Sequence, residues 1–394
     1  MRARSPKRTV ARLAVCQMLL LSNGVLMAAV GALAGYALAP SPRLATVPAV
    51  TYVLGAAIST LPASFFMKRR GRRAGFLLGS SLGMAGGAVG AIAIATHSFT
   101  LLLAGTFLCG IYNAFGQYYR FAAADAAPPD WQSRAISLTL AGGIFGGFIG
   151  PAVGRFTRDL VEPQFLASYA ALAVFALASF VIAAGLSFPE QSAEERHGTG
   201  RPLGVILRQP AVVVAVLAAA VGYGVMNLLM SVTPLAMDLC CHHPFADATF
   251  VLQWHVIGMF APSFFTGGLI RRVGVLNVLL AGAALMFVCV AIAMSGVTLM
   301  HFWWALTLLG VGWNFLYIGG TMLLTEAHRP AEKAKVQGVN DSLVFAVMVS
   351  SSLTSGVVVT GTGGWAMLTR LTVPFLAVTA LATSILWIRE HRSM

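Results

Sequence analysis

The stretch SFFMKRRG at residues 64–71 has a counterpart in the second half of the chain, GGLIRRVG at residues 267–274. In both places an apolar run ends, basic residues follow, and a glycine comes next or soon after. Matched positions recur further along at a constant spacing: Asp125 with Glu326, Pro129 with Pro330, and Arg134 with Lys335. The chain therefore contains one structural plan twice, in the same order.

Between these motifs the chain is too apolar for a soluble protein. Of its 394 residues, 58% are hydrophobic and 10% are charged, whereas a soluble domain carries about 25% charged residues. A bilayer is then the solvent for most side chains, and a spanning helix needs about 20 apolar residues. Apolar runs of that length lie at roughly 11–38, 45–67, 74–96, 98–122, 133–156, 163–187, 209–237, 245–270, 274–297, 299–325, 336–360 and 364–388. The sequence predicts an all-α membrane protein with twelve transmembrane helices in two six-helix halves.

A polar stretch separates the sixth run from the seventh. It divides the chain into an N-terminal half at residues 1–187, a cytoplasmic linker at 188–208 and a C-terminal half at 209–394. With both termini inside, the inner connections hold 21 Lys and Arg residues and the outer connections hold 3. The positive-inside rule then places both termini in the cytoplasm, so the net charge of +13 reflects topology rather than nucleic-acid binding.

The basic loop between the second and third runs carries a family resemblance. Residues 68–73, KRRGRR, are similar to the signature G-x-x-x-D-R-x-G-R-R of the Major Facilitator Superfamily, with Ser64 and Lys68 in place of the first glycine and the acid. The resemblance implies a carrier of the bacterial inner membrane that alternates access by movement of its two halves. It also implies a cytoplasmic gate, for which the candidate residues are Lys68, Arg69, Arg72, Arg120 and Asp125. Snorkelling to the headgroups is the alternative for Arg120 and Asp125.

A narrower resemblance lies in the seventh and eighth runs. Met226 and Met230 form M-x-x-x-M, and His255 and Met259 form H-x-x-x-M. The pair resembles the motifs of the CcoA-type bacterial copper importers, which supply copper for cytochrome oxidase assembly. Thioether and imidazole groups are ligands that Cu(I) prefers, and residues four apart share a helix face. These four residues are therefore predicted to bind copper in the membrane, the alternative being that the methionines fill gaps in the core.

The outer connection after the seventh run is rich in metal-ligating side chains. The residues predicted to capture copper there are Met237, Cys240, Cys241, His242 and His243. The alternative is a surface loop in which the two cysteines form a disulfide or a packing pair.

The sequence thus favours a copper importer, with copper as the transported substrate, no cofactor and a monomeric state. The main alternative is a carrier of a small organic molecule, for drug efflux or vitamin uptake, whose cargo meets Gln117, Tyr118, Trp313 and Asn314. An enzyme is not expected, because the sequence has no P-loop, no G-x-S-x-G and no paired intramembrane carboxylates. Asn340 and Asp341 are predicted to begin a helix and to act at its N-terminus, the alternative being a role in proton coupling.

Overall fold

The computed structural model describes residues 6–41, 44, 47–189, 198, 200–233, 236–237, 243–359 and 364–392. Within these ranges the regular structure is helical, and they contain no strand. The helices up to residue 184 are α1 (Pro6–Leu38), α2 (Val47–Arg70), α3 (Arg72–Ala95), α4 (Phe99–Gly116), α5 (Tyr119–Ala126), α6 (Gln132–Ala141), α7 (Gly143–Thr157) and α8 (Leu166–Ala184). The later helices are α9 (Leu203–Ile206), α10 (Pro210–Met230), α11 (Phe245–Phe260), α12 (Ser263–Val273), α13 (Val275–Ser295), α14 (Leu299–Ala327), α15 (Lys333–Val359) and α16 (Gly364–Arg392).

Helix occupies each of the twelve predicted apolar runs over most of its described residues. Among the described residues, ten helical segments are long and apolar enough to cross a membrane. The eighth run is broken between α11 and α12 at Pro262, which has no N–H for the helical ladder. α15, which contains the eleventh run, begins before it with polar residues such as Lys333 and Lys335. The all-α membrane fold predicted from hydropathy is confirmed.

The internal repeat is visible in the backbone. Gly71, between α2 and α3, has φ 85° and ψ 161°, and Gly274, between α12 and α13, has φ 88° and ψ 153°. Essentially only glycine adopts this region without strain. The two loops that match in sequence therefore make the same turn, and the glycine in each is what the turn requires.

Contacts divide the chain into two compact units. The first contains residues 1–129, 138–199 and 330–342, and the second contains 130–137, 200–329 and 343–394. The short segments 130–137 and 330–342 occupy equivalent places in the repeat. Because each unit is built from separate stretches of chain, the predicted boundaries at residues 187 and 209 stay a prediction.

Close helix packing inside each unit depends on glycine. In the first unit, a Cβ added to Gly79 of α3 would lie 2.5 Å from the Cβ of Phe115. In the second unit, a Cβ on Gly310 of α14 would lie 2.5 Å from the carbonyl oxygen of His255, and one on Gly258 of α11 would lie 2.6 Å from the carbonyl oxygen of Thr307. Small residues let membrane helices approach in this way. The α11–α14 contact places His255 against the backbone of α14.

We expect Gly71→Ala and Gly274→Ala each to lower the free energy of unfolding by about 1–3 kcal/mol, because alanine is strained at these dihedral angles. Space is not the cause, since a Cβ at residue 71 meets nothing within 4 Å. Melting of the purified protein in detergent measures the effect. Gly204→Ala is the matched control, because its Cβ also meets nothing within 4 Å and its φ is not positive. Equal melting temperatures for all three variants would contradict the backbone explanation.

Candidate functional site

A network of charged side chains joins α3 and α5 to the start of α15 within the first unit. Arg72 Nε donates to Asp125 Oδ2 at 3.0 Å, and Lys333 Nζ donates to Asp125 Oδ1 at 2.7 Å. Arg72 Nη2 donates to Gln337 Oε1 at 2.7 Å. Asp125 is therefore shared by two cations from different helices, and Arg72 bridges α5 and α15.

The end of α2 contributes further polar contacts. Ser64 Oγ donates to the carbonyl oxygen of Ala334 at 2.5 Å, and Lys68 Nζ donates to that of Gly198 at 2.6 Å. Arg69 is exposed. Four of the five residues predicted to form a gate, all except Arg69, thus make polar contacts in or beside this network.

A second ion pair lies deeper in the same unit. Arg120 of α5 donates to Asp341 Oδ1, and the two side chains are 1% and 3% exposed. Asn340 Nδ2 also donates to Asp341 Oδ1, at 2.8 Å. Because α15 begins at Lys333, Asp341 lies in its third turn. The predicted N-terminal role of Asn340 and Asp341 is wrong: the carboxylate is held by a buried arginine instead.

The residues predicted to bind copper in the membrane lie on α10 and α11. Met226 and Met259 are buried, and Met230 is half-buried. His255 is fully buried, with Nδ1 2.7 Å from the carbonyl oxygen of Leu306. That contact assigns the proton to Nδ1, which leaves Nε2 as an acceptor with no partner among the described residues.

The predicted capture loop is described only in part. Met237 is buried, and His243 Nε2 lies 2.8 Å from the carbonyl oxygen of Val297. Cys240, Cys241 and His242 lie outside the described residues. In the ranges that the structure covers, no three His, Cys, Asp or Glu side chains are grouped closely enough to hold a metal ion.

Two residues considered for an organic cargo are bonded within the protein. Tyr118 Oη donates to the carbonyl oxygen of Thr60 at 2.8 Å. Asn314 Nδ2 donates to the carbonyl oxygen of Met259 at 2.6 Å, and its Oδ1 accepts from Thr266 at 2.8 Å. These bonds join the residue before α5 to α2, and α14 to α11 and α12. Tyr118 and Asn314 therefore position helices.

Four aromatic rings meet in the second unit, and we call them the aromatic cluster: Tyr223, Phe260, Trp313 and Tyr317. Trp313 and Tyr317 stack with ring centroids 4.9 Å apart and planes 19° apart. Tyr223 meets these two rings edge-on at 5.2 and 5.0 Å, and Phe260 lies 5.8 Å from Trp313. Sequence reasoning missed Tyr223 and Phe260, which lie on α10 and α11. The spacing of Trp313 and Tyr317, four apart on α14, was the available signal.

A row of polar side chains continues from this cluster along α10. Tyr223 and Asn227 are half-buried and Ser231 is exposed, at successive steps of four residues. Asn227 Nδ2 donates to Ser351 Oγ at 2.8 Å and to Ser352 Oγ at 2.7 Å, both on α15. We call Asn227, Ser231, Ser351 and Ser352 the polar row. It extends from the aromatic cluster toward the C-terminal end of α10.

A cavity of about 380 Å³ lies between α10, α15 and α16. It borders another face of α10, lined by residues such as Val221, Val225 and Leu228. Four hydroxyl residues also line it, including Ser351 of the polar row, and each donates to a carbonyl of its own helix at 2.7–2.9 Å: Ser350, Ser351, Thr354 and Thr372. Its wall is therefore apolar.

Known proteins resemble this chain in sequence and in fold. The sequence profile of the Major Facilitator Superfamily matches residues 15–353. The riboflavin transporter RfnT of Brucella anthropi is 38% identical over 379 residues, which are 95% of this chain and 95% of that protein. Among solved structures, the E. coli fucose:proton symporter FucP has a TM-score of 0.75 at 19% identity, covering 97% of this chain and 99% of that one. The proton:xylose symporter XylE has a TM-score of 0.79 at 13% identity, covering 98% and 96%.

The comparison with RfnT overturns copper import. A full-length relative is a riboflavin transporter, so the resemblance to CcoA-type importers, copper as the partner and the supply of copper for cytochrome oxidase assembly were wrong. Copper import no longer supports metal binding by Met226, Met230, His255 and Met259, which stays a prediction from side-chain chemistry and spacing. Methionine spaced four apart is equally typical of a packed membrane helix. The alternative that included vitamin uptake is favoured instead.

We expect Asp341→Ala to lower the free energy of unfolding by about 3–5 kcal/mol, because it leaves the Arg120 charge buried without its partner. The double variant Arg120→Met, Asp341→Leu should recover most of that loss, because apolar side chains of similar size replace both charges. Unfolding in detergent measures both. Asp159→Ala is the control, since Asp159 pairs with Arg158 at the surface, where the carboxylate is 67% exposed. A double variant as unstable as the single one would contradict this explanation.

Proposed function

The chain belongs to the Major Facilitator Superfamily, and from this premise we propose that it is an uptake carrier for riboflavin or a close flavin. The observation that carries the proposal is the similarity to RfnT along nearly the whole of both chains. The charge bias of the connections supports a site in the bacterial inner membrane with both termini cytoplasmic. Carriers of this family alternate access to a site near the middle of the bilayer.

The aromatic cluster gives independent support. Riboflavin joins a flat, electron-poor ring system to a polyol chain, and flat rings bind proteins by stacking on aromatic side chains. Trp313 is the fifteenth residue of the 29-residue α14, so the cluster lies near the middle of that helix. A flat-ring substrate fits this position better than a metal ion does.

For the charged network we propose a gating role. Arg72 and Lys333 hold Asp125, and Arg120 holds Asp341, so ion pairs fix the first turns of α15 on α3 and α5. For the first turns of α15 to move away from α3 and α5, these ion pairs must separate. Water that enters from the cytoplasm favours separation because it weakens the attraction between opposite charges. Lys68 and Arg69 add further positive charge at the C-terminal end of α2.

Riboflavin-auxotrophic bacteria that express the protein should accumulate radiolabelled riboflavin well above cells with an empty vector. Excess unlabelled riboflavin should compete, and fucose should not. Growth at limiting riboflavin provides a second readout. Uptake equal to that of vector cells, with the protein present in the membrane, would refute the proposed function.

Asp125→Asn should slow riboflavin uptake by about tenfold, because charge-assisted hydrogen bonds of about 1.5–3 kcal/mol to Arg72 and Lys333 are weakened. Uptake per molecule of membrane-inserted protein is the measurement. Asp159→Asn, which alters an exposed ion pair worth about 0–1 kcal/mol, should transport like the native protein. If Asp125→Asn transports at the native rate, the network does not act in gating.

A further inference from the structure

Asn314 and Trp313, neighbours on α14, differ in whether their polar atoms are bonded to described residues. Asn314 has protein partners for both its amide nitrogen and its oxygen. Trp313 is 2% exposed, and its Nε1–H has no hydrogen-bond partner among the described residues. A buried donor without a partner is costly, more so in a membrane, where water does not satisfy it. The indole N–H is therefore a buried donor that the described residues leave without an acceptor.

Tyr223 gives the cluster an accessible face. Trp313, Tyr317 and Phe260 are buried, whereas Tyr223 is half-buried. Tyr223 also begins a stripe of half-buried and exposed polar positions, Tyr223, Asn227 and Ser231, in the C-terminal part of α10, where most other residues are buried. Polar side chains in a membrane helix normally face the protein interior or water rather than lipid. The stripe on α10 thus indicates a water-filled face that starts at an aromatic ring.

The polar row continues this face with hydroxyl and amide groups. Ser231 is one turn beyond Asn227 on α10. Ser352 on α15 is exposed and is bonded to Asn227. Four residues along a helix span about 6 Å, so Tyr223 and Ser231 are about 12 Å apart along the axis. Aromatic rings and a row of hydroxyls therefore lie end to end.

We propose that this surface is the substrate site, and that it takes a flat heteroaromatic ring bearing a polyol chain. The ring stacks on Tyr223, Trp313 Nε1 donates to a ring carbonyl, and the polyol hydroxyls exchange hydrogen bonds with Asn227, Ser231 and Ser352. This assignment rests on the proposed function and names the residues that carry it out. Of the two neighbouring residues on α14, this assignment gives Trp313 a contact with the substrate and leaves Asn314 in helix packing.

Fluorescence titration of the purified protein with riboflavin and with lumiflavin, the same ring without the polyol chain, tests the site. Stacking on an electron-rich ring quenches flavin emission, so binding by the native protein should quench both ligands. Tyr223→Leu should raise the Kd for both by about tenfold, in keeping with the energy of an aromatic pair plus its buried area. Tyr223→Phe, which keeps the ring, should bind lumiflavin like the native protein.

Two further variants separate the ring from the chain. Asn227→Ala should raise the Kd for riboflavin by about five- to tenfold, the equivalent of one hydrogen bond, and leave that for lumiflavin unchanged. Trp313→Phe should weaken both ligands by a similar factor. Trp303→Phe is its matched control, because Trp303 lies on the same helix and its Nε1–H also has no partner among the described residues.

The outcomes distinguish the two proposals. A native protein that takes up no riboflavin overturns the proposed function and the site with it. Native uptake together with unchanged Kd values for Tyr223→Leu and Trp313→Phe overturns the site alone. The site is also overturned if Asn227→Ala raises the Kd for riboflavin and for lumiflavin by the same factor. Loss of a contact with the polyol chain would affect riboflavin alone, whereas misfolding would affect both ligands. An effect of Trp303→Phe as large as that of Trp313→Phe moves the site to the outer end of α14 and refutes this one.

Discussion

The hydrocarbon core of a bilayer holds no water to bond a polar group that lacks a hydrogen-bond partner in the protein. This constraint governs the structure. It imposes helix on the backbone, and it requires each buried polar side chain to find a partner. With 10% charged residues in the chain, few ionisable groups are available. Arg120 and Asp341 are buried and held together, and Asp125 lies between Arg72 and Lys333. These ion pairs of the first unit thus lie where α3, α5 and α15 meet.

The same constraint distinguishes side chains that hold the fold from those that can act on a substrate. Asn314 and Tyr118 have partners in the protein, and their bonds join helices. Trp313 has a donor without a partner in the described part of the chain. His255 is intermediate, because Nδ1 is bonded to α14 while Nε2 is not. Its position at the close α11–α14 contact, where Gly258 and Gly310 bring the backbones together, favours a role in packing.

The fold was predictable from the sequence because hydropathy and the repeat act over long stretches of chain. Matched basic loops predicted matched turns, and Gly71 and Gly274 make them with nearly the same dihedral angles. The gate stays a proposal: among its five predicted residues Arg72 pairs with Asp125, whereas Arg120 pairs with Asp341, 221 positions away, a partner that the sequence did not indicate. The cargo was wrong because a methionine pair has the same spacing whether it binds a metal or fills a core. The aromatic cluster was only partly visible, since Tyr223 and Trp313 are distant in sequence and meet only through packing.

One helix carries contacts with both polar regions. The first turns of α15 hold Lys333, Gln337 and Asp341, which bond to Asp125, Arg72 and Arg120. Ser351 and Ser352, ten or so residues later on α15, bond to Asn227 beside the aromatic cluster. The first of these sets lies in the first unit and the second lies in the second unit. Within each unit, α15 thus places its polar side chains against partners that satisfy them, as the absence of water in hydrocarbon requires.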